Sequence, residues 1–553
     1  MNLPKHFKYQ LAQAKTSWQL VVLGIGVGLL ASTAIILLRL AIEQIQHFYM
    51  GSNDNFTAMA QVDRLLMPLV GALIILLFVR LTNQKFHRMG IPFVLHRQRK
   101  FYGYIPLGNS LNQFFTAIAA IASGFSVGRE GPAVHVGAGS ASFLAQKLQL
   151  PNNASRILAS CGMAAGISAS FNSPLAAVVF VLEVVLQQYR IHLFLPIMVS
   201  SLIGTAMSRL VFGNVHLYDN IVIPNITILS MVPFLILGVT VGIVAVMFNR
   251  SLLMLIKRSS NMSINIRLPL AAVIVGGIGW FIPQAMGSEH GALALALSEH
   301  PGISLLLMAL VGKFIATICS LGLGIPGGVI GVLYAIGALL GSLIVWSLVP
   351  FFPQLAIFAP MAVMICMVAM MATSLNAPLA ALVAVLELSG NAAIIFPSLL
   401  VVVPAILLSQ QVFNSKSLFF AQLDLQKLSY KVSPVLYELQ DTGVIALMRR
   451  KFNVLDASDP WLEINSTLPT IVRQHGDDGK YLMPSDIMGL TSENKTLVEI
   501  KTLPDNSTLA EAYQLLSPKR QGFVLILAQG SLTPVGVLSW RSLMKHLHRG
   551  KGY

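Results

Sequence analysis

Between residues 321 and 413 the chain carries a single charged side chain, Glu387. Ordinary globular chains carry roughly a quarter of their residues as Asp, Glu, Lys or Arg. About 20 consecutive apolar residues already span a bilayer, so this stretch is long enough to cross several times. The whole chain follows suit: 55% of its 553 residues are hydrophobic and 11% are charged. In lipid every backbone polar group must be satisfied internally, which favours helices. An all-α polytopic membrane protein is expected.

The first apolar run, residues 20–40, follows Lys5, Lys8 and Lys15 and is closed by Arg39 and Glu43. It exceeds the apolar core of a signal peptide and reads as an uncleaved first helix. Cys161, Cys319 and Cys366 all lie in apolar segments, so no disulfide framework is expected. The formal charge of +15 raises the question of nucleic acid. However, the basic residues cluster between apolar runs: Lys85, Arg88, Arg97, Arg99 and Lys100 in one loop, Lys257, Arg258 and Arg267 in another. That is the positive-inside pattern of a membrane protein. It predicts cytoplasmic loops and N-terminus, with the lipid bilayer and no nucleic acid as partner.

Composition changes near residue 424. Residues 1–424 form the membrane region, and residues 425–553 recover acids such as Asp456, Asp477, Asp486 and Glu511. The membrane region repeats itself. Ser170-Phe-Asn-Ser-Pro-Leu-Ala-Ala-Val-Val-Phe-Val-Leu-Glu183 matches Ser374-Leu-Asn-Ala-Pro-Leu-Ala-Ala-Leu-Val-Ala-Val-Leu-Glu387, with ten of 14 positions identical at an offset of 204. A weaker echo at an offset of 200 pairs Gly128, Gly131 and Gly137-Ala138 with Gly328, Gly331 and Gly337-Ala338. Two repeats, roughly 15–212 and 225–420, are expected. Duplicated membrane domains place substrate near mid-membrane, where interrupted helices of both repeats meet.

Three Gly- and Pro-marked segments qualify as interruptions: Met89-Gly-Ile-Pro92, Gly128-Arg-Glu-Gly-Pro132 and Gly324-Ile-Pro-Gly-Gly-Val-Ile330. A helix starting in the second would aim unpaired N–H groups and a positive dipole end at an anion. Glu130 lies in that segment. A carboxylate there mimics the anion, competes for its place and takes up a proton once displaced, which describes a gate. The rival reading is an ion pair between Glu130 and Arg129. No His-Glu-x-x-His, no Gly-x-Ser-x-Gly and no clustered metal ligands occur in the spans, which argues against a membrane-embedded enzyme, a catalytic centre or a metal site.

The three segments resemble the signatures of the CLC family of chloride channels and proton/chloride antiporters, at residues 88–92, 128–132 and 327–331. The resemblance covers about residues 15–424. It implies two inverted-topology repeats with broken and tilted helices, and a homodimer with one anion pathway per subunit. It assigns the gate to Glu130, with Gly128, Arg129 and Gly131 as its backbone setting, and anion contacts to Gly90, Ile91 and the amides of Val329 and Ile330. Two positions depart from the family: Met89 replaces its serine and Phe419 its tyrosine, so both hydroxyl donors to the anion are missing. Met89 is also similar to the fluoride-exporting branch, but Val329-Ile330-Gly331 lacks that branch's glutamate. Proton-coupled members carry two consecutive glutamates where this chain has Glu183 and Val184. Valine cannot relay a proton. Glu183 and Glu387 therefore read as structural carboxylates bonded to nearby backbone.

The tail resembles a CBS module, a small cytoplasmic α+β domain, through Asp486-Ile-Met488, residues 503–512 and residues 535–543. Ser542 stands where nucleotide-binding modules hold the ribose with an aspartate, so a dimer-clasping role is expected over adenine-nucleotide binding. The combined expectation is chloride transport without a cofactor across the cell (inner) membrane, channel-like or loosely coupled to protons, with both termini cytoplasmic. Strict proton/chloride antiport and fluoride export are the alternatives.

Overall fold

The computed structural model describes residues 4–15, 17–51, 54–82, 90–213, 224, 228–456, 468–473, 480–484, 497–531 and 533–549. Nine helices among the described residues are long and apolar enough to cross a membrane. The chain is a multi-pass membrane protein.

After a short α1 (Lys5–Leu11), the first repeat runs α2 (Trp18–Met50), α3 (Gln61–Leu81), α4 (Ile91–Lys100), α5 (Leu107–Ala122), α6 (Glu130–Lys147), α7 (Asn152–Phe171), α8 (Pro174–Phe180) and α9 (Ile191–Phe212). The second answers it helix for helix: α10 (Ile228–Ser259), α11 (Ile264–Phe281), α12 (His290–Ala296), α13 (Ile303–Leu323), α14 (Ile330–Leu348), α15 (Ala359–Leu375), α16 (Pro378–Ser389) and α17 (Ile395–Leu407). α18 (Leu418–Leu425) closes the region. Burial sorts the spans. The spans Ile330–Leu348 and Pro353–Leu375 are 78% and 72% buried, whereas Gln61–Leu81 is 28% buried and belongs to the rim.

The repeated sequences do the same structural work twice. Asn172 and Asn376 adopt left-handed backbone, with φ of 59° and 55°. Each turns the chain into a helix whose first residue is proline, where the missing N–H costs nothing. Gly137 packs so closely on the Gly162 carbonyl, and Gly337 on that of Cys366, that neither position has room for a β-carbon. The two terminal glutamates cap each other's helices. Glu183 accepts bonds from the Leu379 and Ala380 amides at 3.1 and 2.7 Å. Glu387 accepts from Leu175 and Ala176 at 2.9 and 2.8 Å. Carboxylates at helix N-termini satisfy orphan donors and complement the dipole.

The chain divides into two compact units. One holds Leu23–Phe143 and Leu158–Tyr430; the other holds Met1–Val22, Leu144–Ile157 and Lys431–Tyr553. In the second, the Gly443 amide donates to Ala12 O at 2.8 Å, and Asn153 Nδ2 to Leu11 O at 2.8 Å. Arg156 and Asp441 form a buried ion pair at 3.0 Å. The tail contributes α19 (Pro434–Leu439), β1 (Asn453–Asp456), β2 (Thr470–Arg473), β3 (Tyr481–Pro484), β4 (Leu497–Glu499), β5 (Lys501–Pro504), α20 (Leu509–Leu516), β6 (Phe523–Leu527), β7 (Pro534–Ser539) and α21 (Trp540–Arg549). β5 pairs parallel with β6, which pairs antiparallel with β7. With α20 and α21 this gives strand, helix, two strands, helix, consistent with a CBS-like domain. α20 begins with a capping box, the Thr508 amide donating to Glu511 Oε2 at 2.7 Å. β1, β2 and β3 repeat the parallel-then-antiparallel pattern. The segment Asp486–Met488 lies outside the described residues.

Candidate functional site

The two repeats meet where their interrupted helices begin. Gly128 and Gly328 pair as a two-residue antiparallel bridge, their amides and carbonyls exchanging bonds of 2.8 and 2.6 Å. α6 and α14 start two residues beyond it, at Glu130 and Ile330. Both first turns are closed identically: Ala133 N donates to Arg129 O and Leu333 N to Val329 O, each at 3.0 Å. The junction tolerates only glycine. A β-carbon on Gly131 would lie 2.8 Å from Gly327 O and 2.9 Å from Gly328 Cα. Two helix N-termini thus converge on one point, a standing site for negative charge.

The Glu130 carboxylate occupies that point. It is fully buried and lies against Gly128, Gly328 and Gly331, using the space their missing side chains leave. The Glu130 and Gly331 amides lie close, yet neither carboxylate oxygen accepts a well-formed hydrogen bond among the described residues. Arg129 does not close on Glu130. Its guanidinium reaches Glu289 at 3.8 Å and lies over the Phe171 ring.

Ile91, Gly131, Val329 and Phe419 line one cavity of about 60 Å³, together with Gln422 and Gln426. Four scattered stretches of sequence thus converge. Phe419 is buried and its side chain has no polar atom to offer, so the polar groups of this cavity are backbone amides and the side chains of Gln422 and Gln426. Gly90 holds a φ of 94°, and its amide points at His135 Nδ1, 3.4 Å away. Ile330 is buried and faces a second, apolar cavity beside Phe171 and Tyr334. Glu183 is engaged in its helix cap, and Val184 is buried. Met89 lies outside the described residues.

Sequence reading missed Glu289, Lys313 and His135. Glu289 is buried beside Glu130. Lys313, also buried, donates to Met286 O at 3.2 Å and Gly287 O at 2.8 Å. His135 is buried and stacks on Phe93. The rule that an ionisable residue among membrane segments is functional by default could have found all three.

A family model described as Voltage gated chloride channel matches residues 69–410. The H(+)/Cl(-) exchange transporter ClcA of Yersinia pestis bv. Antiqua (strain Angola) is 29% identical over 312 residues, covering 54% of this chain. ClcA of Yersinia pseudotuberculosis serotype IB (strain PB1/+) matches to the same extent. The match spans 64% of the length of these relatives. Among solved structures, a slow cyanobacterial Cl-/H+ antiporter superposes with a TM-score of 0.64 at 21% identity, covering 74% of this chain and 98% of that one. A CLC-type fluoride/proton antiporter gives 0.61 at 20%, covering 71% and 95%. A eukaryotic CLC transporter gives 0.61 at 18%, covering 95% and 97%. These likenesses show a shared fold: two inverted repeats with broken helices.

Proposed function

The chain belongs to the voltage gated chloride channel family, and we propose that it exchanges chloride for protons across the membrane, with Glu130 as the gate. The observation that carries this is the buried Glu130 carboxylate at the meeting point of two helix N-termini. Ionised, it takes the anion's place. Protonated, it loses its attraction to the positive helix ends and yields to chloride. One group thereby alternates between binding a proton and blocking an anion, which is what exchange requires. The names of the Yersinia relatives favour exchange over the channel-like conduction expected from sequence.

Channel-like or loosely coupled conduction stands as a second reading on one observation. Val184 occupies the position that the family resemblance gives to an inner proton acceptor, and the neighbouring Glu183 is engaged as a helix cap. Chloride rather than fluoride is proposed, because Val329-Ile330 lacks the glutamate of the fluoride branch.

A homodimer in the cell (inner) membrane is proposed from the family resemblance. The N-terminal helix and the tail share one compact unit, which supports both termini on one face. Of the basic residues expected in loops, Arg97, Arg99 and Lys100 lie in a helix, at the end of α4, as do Lys257 and Arg258 at the end of α10 and Arg267 in α11. The helix-end clusters support a cytoplasmic position for those ends. The tail is proposed as a clasp without nucleotide, Ser542 being engaged with Ser539 at 2.9 Å.

Anion efflux from liposomes containing the purified protein tests the gate. Glu130→Gln is expected to raise flux and remove its dependence on external pH. A Gln variant that kept the wild-type pH profile would exclude Glu130 as the gate.

A further inference from the structure

A third cavity, of about 140 Å³, has a lining that includes Arg39, Glu43, Asp54, Arg129, Glu289 and His290. Arg39 and Glu43 pair with each other at 2.6 Å on α2. Asp54 pairs with His290 at 3.2 Å, and the His290 side chain is 43% exposed. Three lining atoms, Gln46 Nε2, Asp54 Oδ1 and Arg129 Nε, are buried without a hydrogen-bond partner among the described residues. Buried polar atoms in this condition are ordinarily served by water.

Glu289 stands at the gate end of this cavity. Its Oε2 accepts the Ser288 hydroxyl and lies 2.5 Å from where a Gly331 β-carbon would sit; Glu130 Oε1 lies 2.6 Å from the same point. The two oxygens are therefore no more than about 5 Å apart, within the range where like charges alter each other's protonation. The position of Glu289 is built in. Lys313 on α13 holds the Met286 and Gly287 carbonyls from below. The Gly287 amide is bonded to Gly124 O at 3.1 Å, in the loop that leads to Glu130.

We propose that Glu289 is a proton-relay residue between the water of this cavity and the gate. Protonated Glu289 passes its proton to the Glu130 carboxylate. It is left as a carboxylate beside Arg129 and recovers a proton from cavity water or from protonated His290. The charged groups facing it are Glu130 and Arg129 from the start of α6, His290 at the start of α12, Asp54, Lys313 on α13, and the Arg39–Glu43 pair on α2. The relay rests on Glu130 acting as the gate. With the N-terminus cytoplasmic, the cavity lies towards the outer end of α2 and draws on external protons.

The test is the pH profile of anion current through the full-length protein in planar bilayers, with the pH on each face set separately. Glu289→Gln cannot pass on a proton, so Glu130 is reprotonated less readily from the outer face. Its half-activation is expected to move to lower external pH by about one unit, and a Glu130→Gln background is expected to abolish that shift. Glu289→Asp withdraws the carboxylate by one methylene and is expected to shift the same way by less. It carries the test if the Gln variant does not fold. Lower current with an unmoved midpoint in either variant would mean a purely structural role and overturn the relay. A wild type with no pH response would overturn the gate and the relay together.

Discussion

Phe419 lines a cavity with Ile91 and Val329, and a hydroxyl at this position is proposed to offer an anion a donor. A hydrogen bond to a charged group contributes roughly 1.5–3 kcal/mol. Phe419→Tyr is therefore expected to tighten chloride binding by about one to two decades, measured by calorimetric titration of the purified protein. Unchanged affinity would mean that the hydroxyl does not reach the ion. Glu130 was legible from sequence because glycines and a proline surround it within five residues. Glu289 was not, since what brings it to Glu130 is the fold: Lys313 and Gly124, both distant in sequence, hold its loop.

The helix α8, continued by a π-helical turn over Val181–Leu186, and α16 carry the duplication in their own contacts, each run bearing a glutamate near its end that caps the other. Removing the charge from one end leaves two amides with a weaker acceptor. Glu387→Gln is expected to lower the stability of the solubilised protein by roughly 1–2 kcal/mol, seen as a lower unfolding temperature, with the pH profile of transport retained. A shifted pH profile would instead assign Glu387 to the proton route. These helices were readable in sequence because proline starts and terminal charges bracket a long apolar run. The strands β1 to β4 were not, because segments of three or four residues are too short to show a period of two.

At the scale of the whole molecule, duplication explains both the architecture and the site. Two copies of one helix set meet with their broken helices end to end, and the Gly128–Gly328 bridge joins them. The offsets of 200 and 204 carry the duplication in the sequence itself. The partition into units is less visible in sequence, because the tail shares its unit with residues 1–22 and 144–157, which composition alone does not set apart. What such a molecule does with protons is decided by following both ions at once. Liposomes loaded with chloride, held near zero membrane potential by potassium and valinomycin, can be monitored with chloride and pH electrodes together. Exchange gated by Glu130 predicts that chloride release is accompanied by proton uptake and alkalinisation of the medium, and that Glu130→Gln abolishes the alkalinisation while chloride still flows. Chloride release by the wild type into a medium of unchanging pH would contradict it.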